Sequence, residues 1–188
     1  ADQFPLEADR AAARKALGFE AGDEVIALLP GSRMGEVSRL AEAFIGAADW
    51  LVARRAGLKF VAPLASAATR AAFESALAGH DIDIRVIDGQ SRLALAAADV
   101  VLVASGTATL ETLLTQRPMV VAYKLAPLTA FLLRTLGLVK VRHFSQPNLL
   151  VGREVVPEFF QEAATPAALG AAVLRWLETP ESQVSLRE

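Results

Sequence analysis

The sequence predicts an α/β fold with a doubly wound parallel sheet, whose two faces are covered by helices. Short apolar runs alternate with segments of helical periodicity along the 188-residue chain. The apolar runs are almost continuously hydrophobic, as expected for strands that are buried on both faces. Two of these strands end in glycine turns that lead directly into helices, which is typical of the ligand-binding edge of such a sheet.

In the first half of the chain, glycines mark the ends of most predicted elements. A short helix ends at Gly18, the pair Gly22-Asp23 turns the chain into the first strand, and an amphipathic helix with apolar residues three and four apart ends at Gly57. The elements predicted here are, in order, a helix over 8–18, a strand over 25–29, a helix over 36–56, a strand over 59–64, a helix over 68–79 and a strand over 84–87.

In the second half of the chain, strands and helices continue to alternate as far as Tyr123, and a strongly apolar segment followed by a basic one comes next. The elements predicted here are a helix over 91–98, a strand over 100–104, a helix over 105–114, a strand over 118–123, an apolar helix with a basic segment over 125–144, and a closing helix over 166–178. No repeat or low-complexity linker interrupts the chain, so we expect one domain over 1–188.

Composition excludes several classes of function. The net charge of −2 provides no basic field for nucleic acid, and the absence of cysteine excludes disulfides and thiolate metal sites. The hydrophobic share of 53% contains no run long enough to span a bilayer, which predicts a soluble protein. The opening residues resemble no signal peptide, and we expect the chain to be a piece of a longer protein.

The strongest candidates for a ligand site are the two glycine turns, in "LLPGSRMGEV" (28–37) and "SGT" (105–107). A glycine and a hydroxyl residue before a helix expose backbone N–H groups at its positive end, which favours phosphate. Two such turns at one sheet edge indicate a diphosphate, with Arg33 as an additional cation. Glu111, in the helix after the second turn, could accept ribose hydroxyls. The alternative is that the glycines only relieve turn strain and the serines cap helices.

Other binding motifs are disfavoured. Neither GxGxxG nor GxxxxGK is present, which argues against a dinucleotide dehydrogenase and a P-loop nucleotidase. Asp81 and Asp83 form a DxD sequence, but acidic residues in such a turn are usually solvated. His80 and His143 lack ligand-like spacing, so we expect surface or structural roles for both and predict no metal site.

The segments "LLPGSRMGEV", "ASGTATLETLL", "PMVVAYKLAPLT" and "PNLLVGREVVPEFFQ" together resemble the lipid-A-disaccharide synthase family, over nearly the whole chain. The resemblance implies the C-terminal, nucleotide-sugar-binding half of a GT-B glycosyltransferase, folded as one Rossmann-like domain. It also implies transfer of a diacylglucosaminyl group from UDP-2,3-diacylglucosamine to 2,3-diacylglucosamine 1-phosphate, which forms the lipid A disaccharide and releases UDP. The alternatives are another UDP-sugar enzyme of this architecture, such as an epimerase or a peptidoglycan glycosyltransferase, and a nucleotide-binding module without chemistry.

The resemblance also implies roles for individual residues. Arg33 would stabilise the leaving diphosphate, Glu111 would hold the ribose, and no cofactor or metal would be needed. The residues implied in nucleotide or sugar binding are Gly31, Ser32, Arg33, Asp88, Gly89, Ser105, Gly106, Thr107, Glu111, Asn148, Arg153, Glu154 and Gln161. For the last four, the alternative is a loop that joins two domains, in which Asn148 and Glu154 serve as turn or cap residues.

The general base and the acceptor site would belong to the N-terminal half of the same enzyme, which this chain lacks. We therefore expect weak UDP binding and no turnover. The resemblance implies a cytoplasmic enzyme that works peripherally at the inner membrane of a Gram-negative bacterium. The apolar and basic residues over 124–144 would suit a helix at an anionic membrane surface. A buried core or interdomain helix with solvated basic residues remains the alternative.

Overall fold

The computed structural model describes residues 10–126 and 143–179. In this part of the chain, six parallel strands form one sheet in the order β3-β2-β1-β4-β5-β6. The strands are β1 (Glu24–Leu29), β2 (Leu58–Leu64), β3 (Ile84–Asp88), β4 (Val100–Ala104), β5 (Met119–Tyr123) and β6 (Glu158–Phe160). The doubly wound parallel sheet predicted from the sequence is therefore confirmed.

Helices cover both faces of the sheet. They are α1 (Arg10–Ala16), α2 (Met34–Val52), α3 (Ala67–Leu77), α4 (Ser91–Ala97), α5 (Thr107–Leu114), α6 (Gln146–Val151) and α7 (Pro166–Glu178), with one 3-10 turn at Gln161–Ala163. Two buried clusters result, because successive side chains of a strand point to opposite faces. In β1, Ile26 and Leu28 pack with α2, α3 and α7, whereas Val25 and Ala27 pack with α1 and α4.

Helix α2 differs from its predicted span of 36–56, since it begins at Met34 and ends at Val52. Arg33 is the N-cap with extended backbone angles. At the other end, the N–H groups of Arg54 and Arg55 both donate to the carbonyl of Leu51, which closes the helix in a tight turn before Gly57. The sequence pattern extended the helix too far because the apolar stripe alone does not encode this turn.

The block over 145–161, for which no helix or strand was predicted, contains α6 and β6. Pro147 lies in the first turn of α6, where its missing N–H costs no hydrogen bond, and Gly152 ends the helix in the left-handed conformation at φ +70. After Val156 the chain enters β6, which pairs in parallel with β5 at the edge of the sheet.

Asp99 ties helix α1 to the sheet, and His80 ties the turn after α3 to helix α2. Asp99, just before β4, accepts hydrogen bonds from the Val25 N–H (2.8 Å) and from the buried Arg14 guanidinium (2.6 Å). His80 contacts the carboxylates of Asp49 and Glu42 on α2. The hydrogen bond to Asp49 raises the pKa of His80 above its ordinary value of 6.5. This pairing agrees with the structural role expected for His80.

The strand order places β1 beside β4, with Leu29 opposite Val103. Helix α2 leaves β1 toward one side of the sheet and α4 precedes β4 on the other, so the order of the strands reverses between them. Ligands of open α/β sheets bind at the carboxyl edge of such a reversal. The fold therefore brings the two glycine turns to the position where a ligand is expected.

Candidate functional site

The two glycine turns line one open cavity of about 610 Å³ at the carboxyl edge of β1 and β4. The predicted site residues on its wall are Gly31, Ser32, Arg33, Gly89, Ser105, Gly106, Thr107 and Glu111. These residues come from three separate loops and the first turns of α5. The structure thus brings together the parts that sequence reasoning assigned to a diphosphate, a ribose and part of the base-binding loop.

The first turn presents backbone amides and one guanidinium. Gly31 has φ +122, a conformation that L side chains rarely adopt, and the chain then enters α2 through Ser32 and Arg33. The Arg33 side chain is 84% exposed, so its guanidinium is accessible to a ligand. The Glu36 carboxylate also reaches back into this turn and accepts hydrogen bonds from the N–H groups of Ser32 (3.0 Å) and Arg33 (3.3 Å).

The second turn opens α5. Gly106 is its N-cap, and Thr109 folds back to donate its hydroxyl to the Gly106 carbonyl at 2.6 Å. The Ser105 N–H donates to the Ala122 carbonyl, whereas its hydroxyl donates to the Phe144 carbonyl at 3.3 Å. Because helix N–H groups in the first turn lack intrahelical acceptors, the start of α5 at Thr107 supplies donors for an anion.

Glu111 lies about one turn into α5 and lines the same cavity. Helical periodicity places residues three and four apart on one face, which aligns Glu111 with Thr107. The carboxylate is half-buried on the wall of the cavity. It can therefore accept hydrogen bonds from hydroxyl groups of a ligand held between the two turns.

The loop after β3 contributes Gly89 to this cavity, but the Asp88 side chain faces another one. The Asp88 carboxylate pairs with the Arg70 guanidinium at 2.9 Å beside an adjoining cavity of about 550 Å³. Hydrogen bonds to Asp88 and Glu74 raise the pKa of Arg70. The Gly89 N–H donates to the Leu64 carbonyl at 2.7 Å, which fixes the loop against the end of β2.

Asn148 is completely buried and lies away from the cavity wall. Its Nδ2 donates to the Val156 carbonyl at 2.8 Å, and its Oδ1 accepts from the N–H groups of Val155 (2.7 Å) and Val156 (3.0 Å). In this arrangement Asn148 orders the turn between α6 and β6 instead of facing the cavity between the glycine turns. The structure thus agrees with the alternative that made Asn148 a turn residue.

The other three predicted residues of this block also lie off the cavity wall. Arg153 is exposed in the turn after α6, and Glu154 lines a separate cavity of about 720 Å³ between β6 and α7. Gln161 accepts a hydrogen bond from the Leu125 N–H through Oε1 at 2.8 Å. This bond holds the chain just after β5 beside the end of β6.

Several residues on the cavity wall were not predicted. Tyr123, Phe144 and Gln146 line the cavity, and the rings of Tyr123, Phe144 and Phe160 form a cluster with centroids 5.8–6.1 Å apart. The position of Tyr123 at the end of β5 was an available signal, since strand ends meet at the ligand edge. Phe144 and Gln146 gave no such signal because they lie outside the strand pattern.

Glu158 fixes the wall that carries Phe144. Its buried carboxylate accepts hydrogen bonds from the N–H groups of Phe144 (3.1 Å) and Ser145 (2.8 Å), and the Ser145 hydroxyl also donates to it. His143 lies 4.0 Å from the same carboxylate. The start of β6 therefore positions the loop against which Ser105 rests.

The segment predicted to meet a membrane lies largely outside the described residues, since 127–142 are not among them. Helix α6, shortly after it, exposes Leu149 (56%), Leu150 (71%) and Val151 (52%). Across residues 10–126 and 143–179, none of the helices combines the length and apolar character that crossing a bilayer requires.

Comparison with known proteins places these features in a family. The family model described as lipid-A-disaccharide synthetase matches residues 1–186. Curated lipid-A-disaccharide synthases are 51% identical over 185 residues in Pseudomonas savastanoi pv. phaseolicola and 56% identical over 169 residues in Pseudomonas putida. These matches cover 98% and 90% of this chain but 48% and 44% of the relatives, so the chain spans about half their length.

Solved structures with low sequence identity share the fold. Escherichia coli ADP-heptose lipopolysaccharide heptosyltransferase II matches with a TM-score of 0.65 and 15% identity, covering 96% of this chain and 54% of that one. The UDP-GlcNAc 2-epimerase from Neisseria meningitidis, bound to UDP-GlcNAc, matches with a TM-score of 0.58 and 15% identity, covering 93% and 42%. The sheet is thus the Rossmann-like domain of the GT-B architecture, and by its sequence the chain belongs to the lipid-A-disaccharide synthase family.

Proposed function

We propose that this chain is the donor-binding half of a lipid-A-disaccharide synthase and that its cavity holds the UDP part of a nucleotide sugar. One observation supports the proposal most directly. The two amide-lined glycine turns, the Arg33 side chain and the Glu111 side chain all line one cavity, where the strand order of the sheet reverses. Pyrophosphate would lie between the turns, with the ribose hydroxyls at Glu111. Gly89 would meet the uracil through backbone groups.

The chemistry of glycosyl transfer explains why such a site is needed. As the bond between the sugar and the diphosphate breaks, negative charge builds up on the leaving phosphate oxygens. Amides at the starts of α2 and α5 and the Arg33 guanidinium are donors suited to that charge. By membership of the family, the donor would be UDP-2,3-diacylglucosamine and the acceptor 2,3-diacylglucosamine 1-phosphate. The N-terminal half of the enzyme would supply the acceptor site and the base.

Isothermal titration of the chain with UDP tests this proposal. We expect weak but saturable binding that becomes at least about tenfold weaker in Arg33→Ala, because a charge-assisted contact to phosphate is lost. Arg54→Ala is the matched control: Arg54 lies beyond the other end of α2, about 30 Å away by helix geometry, and stacks on Trp50. Absence of UDP binding, or equal weakening by both variants, would refute the proposal.

We also propose that the enzyme works peripherally at the cytoplasmic face of the inner membrane, because its substrates carry acyl chains. The exposed Leu149, Leu150 and Val151 support an apolar contact near the cavity wall. Flotation with vesicles of phosphatidylglycerol and with vesicles of phosphatidylcholine tests this. We expect the chain to float with the anionic vesicles, and recovery of all protein at the bottom of both gradients would contradict the proposal.

A further inference from the structure

Glu36 occupies, from within the chain, the donors that the proposed function assigns to phosphate. Its Oε2 accepts from the N–H groups of Ser32 (3.0 Å) and Arg33 (3.3 Å). Its Oε1 accepts from the Arg33 guanidinium at 3.2 Å. Carboxylate and phosphate oxygens are alternative anionic acceptors for the same amides at the start of a helix and for the same arginine.

Gly31 is what allows the carboxylate to lie in the turn. A Cβ built on Gly31 would come within 2.5 Å of both Cβ and Oε2 of Glu36, so any larger residue would displace the acid. The Glu36 side chain is 21% exposed, whereas that of Arg33 is 84% exposed. The acid is thus seated in the turn, while the arginine that pairs with it extends into solvent and can turn toward a ligand.

We infer that Glu36 is an internal competitor of the diphosphate. The N–H groups of Ser32 and Arg33 and the Arg33 guanidinium form an anion seat. The Glu36 carboxylate occupies this seat when no nucleotide is bound and leaves it when the nucleotide binds. This inference rests on the proposed function. A diphosphate with several negative charges can replace a single carboxylate on these donors, whereas a singly charged anion gains little by the exchange. Glu36 therefore lowers the affinity for every ligand whose phosphate reaches the seat and disfavours small anions of low charge.

Glu36→Gln removes the negative charge of the side chain and keeps its hydrogen-bonding role at the start of α2. Glutamine at this position still offers a neutral oxygen to the N–H groups at the start of α2, so the helix remains capped. The anionic competition is lost, and Arg33 is released from its ion pair. Glu42→Gln is the matched control, because Glu42 lies on an exposed part of the same helix, more than one turn further along.

Isothermal titration with UDP measures the effect, and thermal unfolding of the unliganded variants verifies that they fold. We expect Glu36→Gln to bind UDP about three- to tenfold more tightly than the wild type, as removal of competing hydrogen bonds to a charged, partly exposed group implies. Glu42→Gln should bind UDP as the wild type does. Uridine has no phosphate for the anion seat, so it should bind the wild type and Glu36→Gln with equal affinity.

The outcomes distinguish a failure of the proposed UDP site from a failure of the role inferred for Glu36. If the wild type binds UDP and Glu36→Gln binds it equally or more weakly, the inference is overturned, and weaker binding would mean that the acid orders the turn in the bound state. If the wild type does not bind UDP, the proposed function fails and the inference fails with it. Tighter UDP binding by Glu36→Gln than by the wild type supports the inference.

Discussion

Replacing Asn148 by alanine should destabilise the chain through the loss of a buried hydrogen-bonded turn. The side chain satisfies three backbone groups, namely the N–H groups of Val155 and Val156 and the Val156 carbonyl. Val156 is completely buried, so alanine at 148 would leave its N–H and its carbonyl without these partners and away from water. Asn148 thus contributes to stability by holding the chain in the conformation that leads into β6.

The structure sets the expected magnitude. A buried polar group that loses its partner costs about 1–3 kcal/mol, and the N–H and the carbonyl of Val156 together, after partial rearrangement of the turn, give about 2–4 kcal/mol. For a chain of this length, that loss lowers Tm by about 5–15 °C. Leu150→Ala is the matched control two residues away. Because Leu150 is 71% exposed, we expect a change within about 0.5 kcal/mol.

Urea unfolding followed by circular dichroism measures the free energy of unfolding of each variant, and titration with UDP at low temperature measures binding. If Asn148→Ala has wild-type stability, the structural role described here is wrong. Loss of UDP binding at unchanged stability would instead support the direct ligand contact that the family resemblance implied. Equal destabilisation by Leu150→Ala would mean that the loss arises from the apolar surface of α6 and not from the hydrogen bonds.

Two further variants test the ion pairs that tie helices to neighbouring elements. Asp99→Asn should lower the free energy of unfolding by about 2–4 kcal/mol, because it leaves the buried Arg14 guanidinium without its carboxylate partner. Urea unfolding measures this loss, with Asp83→Asn, at an exposed position, as the control. Equal stability of the two variants would contradict the prediction. The pKa of His80 is raised by its hydrogen bond to Asp49, so the folded state binds a proton more tightly than the unfolded state does. The stabilisation of the folded state by protonated His80 is therefore fully present below pH 6.5 and is lost as pH rises through the pKa of His80 in the folded state. His80→Gln should lower the free energy of unfolding at pH 5.5 and have little effect at pH 9. A difference that does not depend on pH would refute this prediction.

The sequence predicted the fold well because each element has a local cause. Burial on both faces makes the strands continuously apolar, and glycines at helix ends mark where helices stop, as at Gly18. The order of the strands has no such local cause. The pairing of β1 with β4 joins residues about 75 positions apart, so their adjacency followed only from the fold class and was established by the structure.

The site was predictable where its geometry follows from strand ends and not where it follows from loop conformation. Gly31 and Gly106 lie at the ends of adjacent strands, and the cavity joins them. Four residues of the motif over 147–161 were interpreted as ligand-binding, yet two of them, Asn148 and Gln161, make hydrogen bonds to backbone groups of the protein itself. Such partners depend on the path of the turn, which residue types and spacing do not specify.

The charge of the cavity wall gives a physical reason why this chain alone should hold the proposed nucleotide weakly. Among the described lining residues, Arg33 is the one cationic side chain, whereas Glu36 and Glu111 are both acidic. A bound diphosphate therefore meets a wall with a net negative charge, and backbone amides at the starts of α2 and α5 must supply most of the attraction. No other cationic side chain among the described residues of this wall can replace Arg33, so Arg33→Ala should weaken UDP binding strongly. Since Glu36 already pairs with Arg33, neutralising Glu36 should give a measurable gain in UDP affinity.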